Sequence, residues 1–399
     1  MRESGHFSSI DSKILVGQEN SEDAYFALHV TEKPSLTLDT ALAFSTDQLL
    51  SVEFELEENN LFSSMLRLNT NLGIGLFWGR QSFISNKFVW PFIFGGPFRF
   101  SLQAPVIIYD DKTSQVEPFR RLQSKVIASL EWRASPILMP YLRYSLTHTL
   151  RENFPNDIVP EISTQEHIRS IDGLIPVLHA QGKIRGMIKP GISLINLDNP
   201  TDPHSGIDLN NFVELSGGPL VGDPFFINLG TQNKFYIPLG STTLALQLSL
   251  MRAFITPSSN NWKELSEVSA MDNLGGDRRV RGYQEGAIRP AHAISDPGQY
   301  GGYLLNSSSI EWRFPLTSPE LLGNFSGALF VDQGLVVECK NFVCGDHVSW
   351  NELVARKEFG LSVGVGIRYN LPVGPISLDF AYSPLHNDWR PHLQFGYAF

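Results

Sequence analysis

The chain has 399 residues, a formal net charge of −10 and a pI near 5.5. That length suits two or three ordinary domains or one large β-architecture, and the acidic balance excludes nucleic acid, whose binding draws on Lys and Arg to neutralise phosphates. Charged residues make up 18%, low against the usual quarter, and the mean hydropathy of −0.08 excludes both a disordered tail and a helical membrane protein.

In chain order, residues 1–10 (MRESGHFSSI) lack the basic start and apolar core of a secretory signal. A strand is expected to run from Gly5 to Leu15, a polar hairpin over residues 18–22, and a second strand over residues 24–30. Ala24, Phe26, Leu28 and Val30 share one face of that second strand. A lone hairpin of this size is marginal in water, so Met1 is expected to fall inside a domain of a longer protein.

Period-two alternation then dominates. Leu36, Leu38, Leu42 and Phe44 alternate with Thr37, Asp39, Ala41 and Ser45; Val52, Phe54 and Leu56 alternate with Glu53, Glu55 and Glu57. The densest apolar run, residues 88–98 (FVWPFIFGGPF), is broken by Pro and Gly and falls short of a spanning helix. Polar loops are expected over residues 153–164, 197–209 and 256–272. Leu244, Leu246, Leu248 and Leu250 alternate with Ala245, Gln247 and Ser249, and the pattern continues from Leu361 through Leu371, Ile376 through Tyr382, and Leu393 to Phe399. Each segment therefore has one greasy and one wet face.

A soluble sandwich turns the apolar face inward; a transmembrane barrel turns it to lipid and lines its lumen with the polar face. Large aromatics near strand ends (Trp312, Phe314, Tyr369, Tyr382, Tyr397, Phe399) suit the interfacial girdles of a barrel. So do polar faces that mix Gly, Ser and isolated charges, and a pattern that persists to the last residue. At roughly ten residues per strand plus connections, the chain after residue 33 holds about sixteen strands. The expected fold is all-β: a sixteen-stranded antiparallel transmembrane β-barrel over residues 34–399, preceded by a hairpin over residues 1–33.

One stretch departs from the acidic background: GGDRRVRGYQEG, residues 275–286, with Arg278, Arg279 and Arg281 between glycines. An arginine taken out of water needs a counter-charge. On the strands that follow, Ile310, Trp312 and Phe314 point to lipid, which turns Glu311 inward; Leu329 and Val331 do the same for Phe330 and Asp332. A loop over residues 255–300 folded into the lumen would set the Arg281 guanidinium between two carboxylates and over the Phe330 ring. Gly282 would turn the backbone and Tyr283 pack the tip. An exposed basic turn, with Glu311 and Asp332 as ordinary lumen charges, is the other reading of the same residues.

Val280-Arg281-Gly282-Tyr283 resembles the (V/I)RG(F/Y) signature of the BamA/TamA family of outer-membrane assembly factors, where it lies at the tip of a long loop folded into a sixteen-stranded barrel. The preceding Gly275-Gly276-Asp277, the carboxylates at Glu311 and Asp332, and Phe330 match that family's loop and its partners. Residues 364–368 and 372–375, Leu378-Asp379-Phe380 and the aromatic C-terminus resemble its closing strands. The short loop is more similar to TamA than to BamA. Residues 4–10 and 26–33 resemble the last two strands of a POTRA domain, so the hairpin reads as a partial POTRA domain.

The resemblance implies a bacterial outer-membrane protein that assists insertion, assembly or translocation of other outer-membrane proteins. It would work through a lateral seam formed by Leu36 and Leu38 on the first strand and by Phe395, Gly396, Tyr397 and Phe399 at the C-terminus. The implied partners are outer-membrane lipid, client proteins, and periplasmic or inner-membrane assembly factors. A two-partner secretion transporter and a passive porin or surface antigen are the alternatives, and a truncated product without function is a third.

Other chemistry is sparse. Cys339 and Cys344 flank four residues, a spacing unsuited to zinc; a disulfide and two free thiols both remain open. Tyr109-Asp110-Asp111-Lys112 reads as a charged turn. With no HExxH, nucleophile elbow or P-loop in the sequence, no enzyme, metal or cofactor is expected.

Overall fold

The structure is a computed structural model. It describes residues 7–16, 24–32, 35–45, 49–61, 66–76, 81–93, 95–111, 119–153, 183–200, 202–222, 225–255, 274–276, 279–283, 287–288, 302–316, 325–340, 343–344, 349–355, 358–371 and 374–395. Strands β1 (Phe7–Val16) and β2 (Ala24–Glu32) form a separate antiparallel hairpin, with Ile10 opposite Val30 and Ile14 opposite Phe26.

All the other strands belong to a closed antiparallel barrel. Its first eight are β3 (Leu36–Ser45), β4 (Leu49–Leu61), β5 (Leu66–Leu76), β6 (Gln81–Ile93), β7 (Phe98–Asp111), β8 (Phe119–Trp132), β9 (Leu138–Asn153) and β10 (Lys183–Leu197). Then come β11 (Gly206–Ser216), β12 (Phe226–Leu239), β13 (Thr242–Ile255), β14 (Gly302–Pro315) and β15 (Phe325–Lys340). A two-residue β16 (Val343–Cys344) turns back onto the end of β15, and β17 (Phe359–Leu371), β18 (Gly374–Ser383) and β19 (Asp388–Phe395) complete the ring. Among the described residues, and leaving β16 aside, the ring has sixteen strands.

Burial runs opposite to that of a soluble sandwich. On β17, Val363, Val365 and Ile367 are 41–53% exposed, while the interleaved Ser362 and Arg368 are fully buried. On β15, Leu329 and Val331 are exposed and Phe330 and Asp332 buried. Apolar side chains that face outward while charges face inward belong to a barrel set in hydrocarbon. The aromatics cluster at strand ends: Trp312 with Phe314 at 5.3 Å and Phe325 with Tyr369 at 4.8 Å near one end, Tyr382 with Trp389 at 4.6 Å near the other. Tyr397 and Phe399 lie outside the described residues.

Antiparallel order puts successive connections at alternate ends. The strand ends that flank the long ones, Asn153 and Lys183, Ile255 and Gly302, and Lys340 and Phe359, all lie at the same end, opposite the start of β3. Three expectations are corrected. Tyr109, Asp110 and Asp111 do not turn: they finish β7, registered against Arg121, Arg120 and Phe119, because β8 carries pairing partners to the end of that ladder. The loop expected over residues 197–209 ends earlier, since β11 pairs from Gly206 opposite Leu197. Of the loops expected over residues 153–164 and 256–272, Asn153 instead ends β9, and the rest lie outside the described residues.

The ring closes between β19 and β3. Among the described residues that junction has one registered pair, Gln394 with Ser45, whereas β3 and β4 register at ten, from Leu36↔Glu58 to Ser45↔Leu49.

Candidate functional site

Within the connection from β13 to β14, the described residues sit inside the barrel. Leu274 and Ile288 exchange backbone hydrogen bonds at 2.9 Å, and the Gly276 amide donates to the Tyr283 carbonyl at 2.9 Å, which closes a tight tip. Leu274, Val280 and Ile288 are fully buried against Ala253, Leu305 and Val336 on the inner faces of β13, β14 and β15. The wall makes room by omitting side chains. A Cβ on Gly360 would come within 2.3 Å of Ile288, and one on Gly334 within 2.8 Å of Val280. The apolar residues of GGDRRVRGYQEG and its flanks thus anchor the tip by ordinary burial, and Arg281 is carried in with them.

Arg281 is 1% exposed. Its Nε donates to Asp332 Oδ2 at 2.7 Å and its Nη2 to Asp332 Oδ1 at 2.9 Å, a side-on fork that matches the planar guanidinium. Its backbone amide also donates to Asp332 Oδ2, at 3.0 Å. Nη1 donates to Glu311 Oε2 at 2.6 Å and to Asp379 Oδ2 at 3.0 Å. The guanidinium lies 3.4 Å from the centroid of the Phe330 ring. Ser309 Oγ donates to Asp332 Oδ1 at 2.6 Å. The structure therefore brings Arg281, Glu311, Phe330 and Asp332 into one cluster.

The sequence reading placed two carboxylates at Arg281; the structure adds Asp379 as a third and two further guanidiniums. Arg368 Nη1 pairs with Asp379 Oδ1, Arg368 Nη2 reaches Glu311 Oε2 at 3.3 Å, and Arg313 Nε donates to Glu311 Oε1 at 2.8 Å. Three arginines (281, 313, 368) thus face three carboxylates (311, 332, 379), all nearly inaccessible to solvent. A buried charge is tolerable only when paired and hydrogen-bonded, and this group is neutral as a whole. Two signals pointed to the extra members. Arg368 and Asp379 occupy the polar alternation of β17 and β18, and the short connection between those strands sets Gly366 opposite Asp379.

Gly282 has φ of 88°, a conformation that side chains rarely adopt, and a Cβ there would lie 3.0 Å from Ser362 and 3.3 Å from Ala381. Its amide donates to His392 Nε2 on β19 at 3.0 Å. The Tyr283 hydroxyl accepts from the Leu361 amide at 3.1 Å and from Ser383 Oγ at 2.7 Å. It lies 3.3 Å from His386 Nδ1, whose ring packs edge-on against Tyr283. Val280, Arg281, Gly282 and Tyr283 are all buried, while the neighbouring Arg279 is exposed.

The other predicted residues stand apart from this cluster. Leu36 and Leu38 are exposed on β3. Phe395 ends β19, and Gly396 lies outside the described residues, as do Tyr397 and Phe399. Cys339 and Cys344 are opposite each other on the β15–β16 ladder.

Solved structures with the same fold include BamA from Haemophilus ducreyi lacking POTRA domains 1–3, with a TM-score of 0.72, 15% identity, and coverage of 99% of this chain and 76% of that one. CdiB from Acinetobacter baumannii is similar at a TM-score of 0.52 and 13% identity, over 98% of this chain and 66% of that one. CdiB from Escherichia coli is similar at 0.55 and 10%, over 98% and 68%. By sequence, the chain is 28% identical over 113 residues to outer envelope protein 80, chloroplastic, of Arabidopsis thaliana. That match spans 28% of this chain and 13% of the relative's length. The Omp85 superfamily domain matches residues 60–399, and with an inward arginine loop inside a lipid-facing ring, the chain belongs to the Omp85 superfamily as an outer-membrane β-barrel.

Proposed function

We propose that this barrel assists the insertion or assembly of other outer-membrane proteins, or their passage across the membrane, and that the β19–β3 seam is its working edge. The observation that carries the reading is the contrast in closure, with one registered pair at the seam among the described residues against ten between β3 and β4. In hydrocarbon an unpaired backbone group costs several kcal/mol, so a seam that parts must exchange its pairing for another strand. A client segment arriving as an extended chain supplies that strand by β-augmentation. No covalent bond is made and no nucleotide is consumed. The Arg281 cluster ties the loop to β14, β15 and β18, holding one wall firm while the seam yields. The β1–β2 hairpin, read as part of a POTRA domain, is the place for periplasmic or inner-membrane factors to hand over a client.

A disulfide between Ser45→Cys and Gln394→Cys tests the reading. With the seam locked, insertion of a client barrel into liposomes should fall to background and recover on reduction; full insertion through a locked seam would overturn it. The fold shared with CdiB supports a second reading, a two-partner secretion transporter. A lumenal route of that kind would leave secretion unaffected by the same lock, and solute-driven liposome swelling without insertion would mark a passive pore.

A further inference from the structure

The loop tip does more than fill the lumen: it is bonded to the seam strand itself. Of the described β19 side chains, His392 is the one hydrogen-bonded to the tip, through Gly282 N–H to Nε2 at 3.0 Å, and it is 2% exposed. Nε2 accepts here, so the imidazole is neutral with its proton on Nδ1. The amide cannot easily be aimed elsewhere. Gly282 is held at φ 88° between Ser362 on β17 and Ala381 on β18, so the direction of its N–H is set by the seat. On its other side, among the described residues, β19 registers with β3 at one pair, against eight with β18.

We propose that His392 is the positioning residue joining the Arg281 cluster to the last strand, so that the seating of the loop sets how firmly β19 stays in the ring. This rests on the seam reading above, but its own content is narrower: a single acceptor on β19 couples loop and seam. When the tip is seated, a buried N–H faces Nε2, and moving β19 outward would strand that donor in a dry site, where an unmet hydrogen bond is costly. When the tip withdraws, the tie is absent and β19 is retained by β18 and by whatever pairs its free edge. Loop and seam are then two ends of one equilibrium, each biased by the other.

The test reads the seam with no client present, by hydrogen–deuterium exchange on the full chain in lipid bilayers. His392→Leu should speed exchange of the β19 and β3 amides by about tenfold, equivalent to about 1.4 kcal/mol, with β14 and β15 unchanged. His392→Gln, which offers an oxygen acceptor near the same place, should restore protection. Unchanged seam exchange in His392→Leu overturns the proposal, and so does a His392→Gln variant as fast as His392→Leu, since packing and not the acceptor would then be at work. Should His392→Leu fail to fold, the unmodified protein still decides: the Gly282 amide should exchange in step with β19, and independent exchange sinks the coupling. Because insertion is not measured, a barrel that inserts nothing can still pass this test, and one that inserts clients normally with an uncoupled seam fails it.

Discussion

The two sides of the lumen use the same charged residues in different ways. Along β13–β18 the described loop residues pack against the wall, and the arginine–carboxylate contacts lie between side chains at most 7% exposed. Along β8–β12 a cavity of about 280 Å³ stays open beside Tyr141, Arg143, Lys189, Asp208 and Lys234. There the pairs are wetter, and two are longer: Lys189 to Glu214 at 3.5 Å with side chains 20% and 15% exposed, and Lys234 to Asp208 at 3.9 Å with 32% and 28%, while Arg99 and Glu131 stay in close contact at 31% and 17% exposed. Water screens the second set and not the first. An ion pair therefore stabilises the dry side mainly through what its removal would leave behind, while on the wet side it is close to interchangeable with hydration.

The largest break in that comparison is Arg281→Ala. Stripping the cation leaves Glu311, Asp332 and Asp379 with too little positive charge, and breaking a buried network of this kind costs about 3–5 kcal/mol. The folded form should lose heat resistance on a gel-shift assay and the loop should become protease-sensitive; unchanged behaviour would place the arginine's charge outside the stability of the barrel. Gly282→Ala comes next, at about 2 kcal/mol, since it adds a positive-φ strain of roughly 1–3 kcal/mol to the close approach at Ser362. It should weaken protection of residues 280–283 without altering strand content by circular dichroism. Lys189→Met, on the open side, is expected to cost less than about 1 kcal/mol, and a loss as large as that of Arg281→Ala would erase the distinction between the two halves.

The most local effect lies outside the barrel wall. Asp198, between β10 and β11, accepts backbone N–H groups from Asn199, His204 and Ser205 at 2.9–3.1 Å. Desolvation pushes its carboxyl up, but those three donors outweigh it and leave it below its ordinary 3.8. A lowered folded value means that the contribution is complete above 3.8 and is lost as pH falls through the lowered one. The turn should be indifferent to pH near neutrality and should loosen only in strong acid. Asp198→Ala should loosen it near neutrality by about 1 kcal/mol and by less in strong acid, read as faster amide exchange at Asn199, His204 and Ser205.

Much of this was legible in the sequence because period two is a local signal. Ile310, Trp312, Leu329 and Val331 had to share a face opposite Glu311, Phe330 and Asp332, and the loop's only buried arginine among the described residues is the one set between Val280 and Gly282. What the sequence hid is register. Asp379 meets Arg281 from β18, on the same wall as Asp332 but two ladders away, and Arg368 on β17 bridges it to Glu311 on β14; neither distance is encoded in any one segment. Asp110 and Asp111 were misread for a related reason, since two adjacent acids suggest a turn until β8 is known to extend alongside them.

The span of the clamp along the chain has a consequence for timing. Arg281 meets Asp379 across 98 residues, and Gly282 meets His392 across 110. Neither contact can exist while the chain is only partly made, so the bolt is drawn by the final two strands, and a polypeptide halted before β18 would hold the arginine without its full set of acids.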